Sequence, residues 1–133
     1  MAATQTTLKL TQTKGVVAVT ETGTTPGSQT IVLATTLKKS TETQSSPVVN
    51  LQAITWSLAE GGKATITRNS VVLWTLQDRA GKIDFTTFSD IRENASDIVV
   101  TFTGSFAGTV VLEVNKLSGY GSQQHQGADG DLG

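Results

Sequence analysis

Cysteine does not occur in this 133-residue chain, which removes a disulfide framework, a thiol nucleophile and thiolate metal ligands at once. Histidine occurs once, as His125, inside a Gly- and Gln-rich stretch. A Ser–His nucleophile pair would therefore depend on a residue with no scaffold to orient it. Charge is scarce too: charged residues make up 16% of the chain, against roughly 25% in ordinary soluble domains. The net charge is −1, and the basic residues are scattered from Lys9 to Lys116, leaving no face able to neutralise a run of phosphates. Nucleic acid is not an expected partner. No apolar run comes near the roughly 20 residues of a membrane-spanning helix, and the opening MAATQTTLKL lacks the basic-then-apolar pattern of an export leader. A membrane is not an expected partner either.

What fills the chain instead is Thr, Ser, Gln and Gly. Thr is roughly one residue in six, and its branched Cβ suits a pleated surface better than a helix. The length suits one domain able to bury a core without a covalent or metal staple. Residues 6–13 (TTLKLTQT) alternate, with Leu8 and Leu10 on one face and Lys9 on the other, before Lys14-Gly15 breaks the run. Residues 16–20 read as a second strand and 21–28 (ETGTTPGS) as a loop. Residues 29–38 (QTIVLATTLK) resume strand composition and end in a Lys pair of the kind that protects an edge. Residues 40–46 (STETQSS) are polar and without period, an exposed connector, after which Pro47 opens the next strand.

Residues 51–76 are the most legible part of the chain. Ile54, Trp56 and Leu58 share one face, Glu60-Gly61-Gly62-Lys63 makes a turn, and Ile66 lies on the returning strand. Asn69-Ser70 offers the positive-φ tolerance a two-residue hairpin needs. Beyond it Val72, Trp74 and Leu76 form a third inward set, with Leu73 opposite. Two indoles, each covering on the order of 150–250 Å², are expected to be core. Residues 78–81 read as a turn and 82–85 as a short strand. Ser89 or Asp90 then caps one helical turn, with Ile91 as its buried contact. Residues 98–103 (IVVTFT) and 109–116 (TVVLEVNK) are strands with Ile98, Val100, Phe102, Val110, Leu112 and Val114 inward. Read as a hairpin, they are joined by a five-residue loop exposing Phe106.

Eight or nine strands with no helix long enough for a βαβ crossover predict an all-β fold, an antiparallel β-sandwich of jelly-roll or related Greek-key type. The sandwich is expected over residues 1–116. Residues 117–133 (LSGYGSQQHQGADGDLG) carry few apolar anchors and are expected as an extended C-terminal arm.

Motifs of chemistry are thin. Gly61-Gly62-Lys63 resembles the end of a phosphate loop, but Ala64 stands where Ser or Thr is needed. The carboxylates Asp84, Asp90 and Glu93 lack the spacing of a calcium loop. No catalytic residue, cofactor or metal is expected.

The segments TITRNSVVLWTL (65–76), SDIVVTFTG (96–104), GTVVLEVNK (108–116) and LSGYGS (117–122) together resemble small β-sandwich virion structural proteins of tailed bacteriophages, notably those of marine cyanobacterial hosts. That resemblance implies a non-enzymatic, multi-copy protein, assembled in the host cytoplasm and carried in the virion as a capsid decoration or cement protein. Its implied partners are the major capsid protein, other virion subunits and further copies of itself, a trimer being one arrangement. Contacts are expected from the arm and from an exposed loop: Leu117, Tyr120, Gln123, Gln124, His125 and Phe106. A neck, tail or fibre component is a second reading. A carbohydrate-binding module for host-surface glycan is a third, in which Trp56, Trp74, Phe106 or Tyr120 would stack on sugar rings.

Overall fold

The computed structural model describes residues 3–22, 27–39, 42–77, 79–85, 89–103 and 107–122. Its strands in chain order are β1 (Ala3–Leu10), β2 (Lys14–Thr22), β3 (Ser28–Ile31), β4 (Glu42–Leu58), β5 (Lys63–Arg68), β6 (Val71–Leu76), β7 (Ala80–Asp84), β8 (Ile98–Thr103) and β9 (Ala107–Ser122). No helix occurs among the described residues. Two antiparallel sheets, β1-β2-β9-β4-β7 and β3-β8-β5-β6, face each other as a sandwich.

The pairing has a nested logic. β5 pairs with β6, β4 with β7, β3 with β8 and β2 with β9. Such a set arises when one long hairpin is rolled up, so that consecutive pairs fall alternately on the two sheets. This is a jelly roll, with β1 added beside β2 at the edge of the larger sheet. The tip of the rolled hairpin is Asn69-Ser70. Both residues are left-handed, at φ 51° and 63°, as a two-residue turn that follows the strand twist requires. All the other strand-to-strand connections beyond β1–β2 cross between sheets. The 59–62 turn is therefore an arch, not a hairpin. The same holds for the expected hairpin of residues 98–116: β8 and β9 lie in opposite sheets. Alternation alone does not distinguish an arch from a hairpin, because both reverse the chain.

The core forms between the inner faces. Val17, Val19, Leu51, Ile54, Leu58, Val110, Leu112 and Val114 come from the larger sheet, and Ile31, Ala64, Ile66, Leu76, Ile98, Val100 and Phe102 from the smaller. Burying one such large side chain contributes about 1.5–3 kcal/mol. Trp56 and Trp74 are half-buried and pack against this cluster.

Two β-bulges overturn expected faces. In the β5–β6 ladder the register slips between Ile66 and Thr67, so Leu73 is the extra residue. Val72, expected in the core, is consequently 56% exposed, while Leu73 is 8% exposed. In β1 the slip falls between Thr7 and Lys9, which turns Leu8 out to 58% exposure. An inserted residue inverts the face of everything on one side of it, and composition does not mark where it occurs.

Other local expectations also change. Strand structure after Gly27 stops at Ile31; residues 33–37 form a turn closed by the Thr36 amide on the Val32 carbonyl at 2.8 Å. That turn points Leu33 and Leu37, four residues apart, into the core. Gly15 does not break a strand but lies inside β2, where a Cβ would come 2.8 Å from Leu37 Cδ2. Residues 42–46, expected as an exposed connector, begin β4, and Pro47 sits where the β4–β9 ladder shifts register and needs no N–H from it. Residues 117–122, expected in the arm, continue β9. Ile91 is exposed; the turn there is instead held by Asp90, whose Oδ1 accepts the Arg92 amide at 3.1 Å.

Gly81 is a second close approach. A Cβ there would stand 2.5 Å from Cζ2 of Trp56, whose indole covers it. Gly81→Ala should therefore lower the unfolding free energy by about 1–3 kcal/mol, read as a fall in the urea midpoint at unchanged slope.

Candidate functional site

Polar chemistry enters the sandwich where the alternation of apolar residues ends. On β9 the inward positions Val110, Leu112 and Val114 are followed by Lys116, and on β5 Ala64 and Ile66 are followed by Arg68. The period of two carries both cations inward.

Lys116 meets Glu42 from the start of β4. Their side chains are 0% and 2% exposed, and Lys116 Nζ lies 2.8 Å from Glu42 Oε1. Nζ also donates to the Thr11 carbonyl at 2.8 Å and stands 4.4 Å from the centre of the Tyr120 ring. Glu42 Oε1 accepts a further hydrogen bond from the Lys39 amide at 2.9 Å, while Oε2 is buried with no hydrogen-bond partner among the described residues. Burial pushes the Glu42 carboxyl up, but the bonds from Lys116 and the Lys39 amide, with the charges of both lysines, hold it below its usual value. On the lysine, burial prevails over the pair and lowers the pKa. A shallow cleft of about 150 Å³ opens beside the pair, lined by Gln12, Thr13, Lys116, Leu117, Ser118 and Tyr120.

Tyr120 is buried, and its hydroxyl donates to the Leu33 carbonyl at 2.6 Å. It was expected as an assembly contact; it is a tether for the end of β9. Burial raises its pKa. Leu117, the residue skipped by the register shift between Val49↔Lys116 and Val48↔Ser118, is exposed, as a contact residue has to be. Phe106, Gln123, Gln124 and His125 lie outside the described residues.

Arg68 is wholly buried and bonds only to carbonyls: Val49 O at 2.7 Å, Ser96 O at 2.7 Å and 3.0 Å, and Asn94 O at 3.1 Å. Burial brings it down to about 10, opposed by Asp90, Asp97 and other anions, so it remains a cation at neutral pH. A third polar knot surrounds Asp90. Its Oδ2 accepts Trp74 Nε1 at 2.7 Å and Arg92 Nη2 at 2.7 Å. The bond from Arg92 is the main cause of its lowered pKa, ahead of the opposing effect of burial.

No protein-family model matches this chain, and no curated protein matches it. The site therefore has to be judged on its own chemistry.

The carboxylates singled out in the sequence do not converge. Asp84 lies 3.9 Å from Lys82, Asp90 bonds to Arg92, and Glu93 accepts from Asn69 at 2.9 Å. Among the described residues no three His, Cys, Asp or Glu side chains gather as a metal site. The Gly61-Gly62-Lys63 turn borders an open groove of about 540 Å³ with Glu60, Gln77, Arg79 and Thr103. The Glu60–Arg79 pair in it is solvent-exposed at 3.1 Å, and such pairs are screened and weak. The indole N–H groups are both spent inside the chain, Trp56 on Gln77 O at 2.8 Å and Trp74 on Asp90. Trp74 also packs on Phe85, centroids 5.4 Å apart. Among the described residues, then, no pair of exposed rings forms a platform for a sugar.

Glu42, Lys116 and Arg68 were not singled out in the sequence. The available signal was the continued alternation through Lys116 and Arg68, which places a charge on a face otherwise apolar.

Proposed function

We propose that the chain is a non-enzymatic structural protein of a phage virion, a decoration or cement protein that binds the assembled shell. The observation that carries this reading is how β9 ends. Beyond Asn115 it leaves β2 and runs on as a ribbon with the start of β4, up to Ser122. The ribbon is thus an extension of the two central strands β9 and β4 of the larger sheet, and the 11 residues after Ser122 are poor in apolar anchors. A sequence with so few apolar side chains has more to gain by packing on a neighbouring surface than on its own sandwich. The buried polar groups described above each serve the fold, which directs attention to edges and ends. The jelly roll agrees with the reading without carrying it, since shell proteins, lectins and cupins share it.

Mechanistically, a protein that binds the closed shell and not its free subunits stabilises the closed state by mass action. Partners in this reading are the major capsid protein, other virion subunits and further copies of the chain. Because Tyr120 is buried, the truncation that tests the arm begins at Gln123. The full chain should co-sediment with shells lacking it and raise the temperature at which they open. Removal of residues 123–133 should leave the sandwich folded by circular dichroism and weaken shell binding at least about tenfold, or 1.4 kcal/mol. Equal binding of both forms would remove the arm from the mechanism. Binding to isolated necks, tails or fibres but not to shells would replace the decoration role.

A further inference from the structure

We propose that the buried Glu42–Lys116 pair is an acid-sensitive latch on the ribbon formed by residues 42–48 and 118–122, which undocks when Glu42 takes up a proton. The inference stands on the sandwich itself and assumes nothing about a virion.

The ribbon is a distinct unit by its pairing. The last β2–β9 pair is Lys14↔Asn115, so past Lys116 the end of β9 pairs with β4 and, among the described residues, with no other strand. Its ladder consists of Glu42↔Ser122, Thr43↔Gly121, Gln44↔Tyr120 and Val48↔Ser118, separated from the main ladder by register shifts on both sides of Val48. Ser46 and Gly119 adopt left-handed φ values of 49° and 87° at these shifts. Two strands alone are marginal in water. They are docked by the Tyr120 ring, which belongs to the buried core, by its hydroxyl on Leu33 O, by the Glu42 amide on Lys39 O and by the Glu42–Lys116 pair.

The groups facing the pair come from each element packed on it. The β1–β2 turn offers Thr11 O, and the segment before β4 offers the Lys39 amide and charge. β9 offers the Tyr120 ring, which itself lies in the field of Asp97 and Arg68. Glu42 is the anion bonded to Lys116, so its protonation leaves a buried ammonium without its counter-charge, held by the neutral carboxyl's Oε1, the Thr11 carbonyl and a ring face. Oε2, where the proton adds, is buried with no hydrogen-bond partner among the described residues. Water can relieve both only if the ribbon moves. The sign follows from the lowered carboxyl: the docking contribution is complete above the ordinary value of 4.5 and is lost as pH falls through the lower folded value.

Amide hydrogen exchange on the full chain, corrected for intrinsic rates, tests this between pH 7 and pH 3. Protection of residues 117–122 should fall severalfold at pH 3, with a ceiling of about 30-fold set by the ordinary carboxyl value, while amides of β5 and β8 keep theirs. Glu42→Gln should show the open ribbon already at neutral pH. The double variant Glu42→Leu/Lys116→Met, which has nothing to titrate at the latch, should stay closed throughout and remains informative if the single variant does not fold. An identical acid response in the double variant would overturn the latch. So would loss of protection in the ribbon and in β8 together.

Discussion

Replacing Arg68 by Leu should lower the free energy of unfolding by about 3–5 kcal/mol, among the largest effects available to a single substitution in this chain. The guanidinium supplies four hydrogen bonds to three carbonyls, Val49 O in the larger sheet and Asn94 O and Ser96 O in the segment crossing to β8. It joins the end of β5 to the opposite sheet at a point where no strand connects them. Leu would fill much of the volume but take the guanidinium donors from Val49 O and Ser96 O, at a cost of about 1–3 kcal/mol for each one that water does not reach, while Asn94 O keeps the Val49 amide at 2.9 Å. Arg68→Lys keeps the charge and loses the planar fork, so it should recover only part of the deficit. Urea unfolding of the three proteins measures the series. A Leu variant within about 1 kcal/mol of the parent would show that the carbonyls find other donors.

The second large effect is conditional. Lys116→Met should cost about 3–5 kcal/mol at neutral pH, because it leaves the Glu42 carboxylate buried with the Lys39 amide as its one hydrogen-bond partner among the described residues. Adding Glu42→Leu should restore most of that loss, bringing the double variant to within about 1 kcal/mol of the parent or above it. The pair is incompletely satisfied, since Oε2 lacks a partner among the described residues. Desolvation of two ions is then poorly offset, and an apolar pair of similar volume competes well. A double-mutant cycle by urea unfolding reads the coupling directly. Additive losses in the two single variants would show that the residues act separately.

The contrast between these cations and the apolar residues beside them shows what is legible in a strand. Ile54, Leu58, Ile66, Leu76, Ile98, Val100, Phe102, Val110, Leu112 and Val114 were placed inward by alternation and are buried. Alternation also pointed Arg68 and Lys116 inward, but a charge on an apolar face reads as the end of a strand until a partner is known. The partner of Lys116 lies 74 residues away in sequence, in a polar stretch that reads as a connector. Val72 and Leu8 failed for a different reason, one extra residue in a ladder, which depends on the register of a neighbour.

By itself, the sequence determined the class of the fold. Thr-rich alternation, the Asn69-Ser70 turn and the lack of helical periods leave a sandwich as the way to bury one face of each strand. Only the tertiary structure decided which reversals are hairpins and which are arches, where the bulges fall, and that residues 42–48 and 117–122 belong together. Periodicity is a local property of side chains along one strand. Sheet membership and ion pairing are set by the burial and hydrogen bonding of backbones brought together from distant parts of the chain.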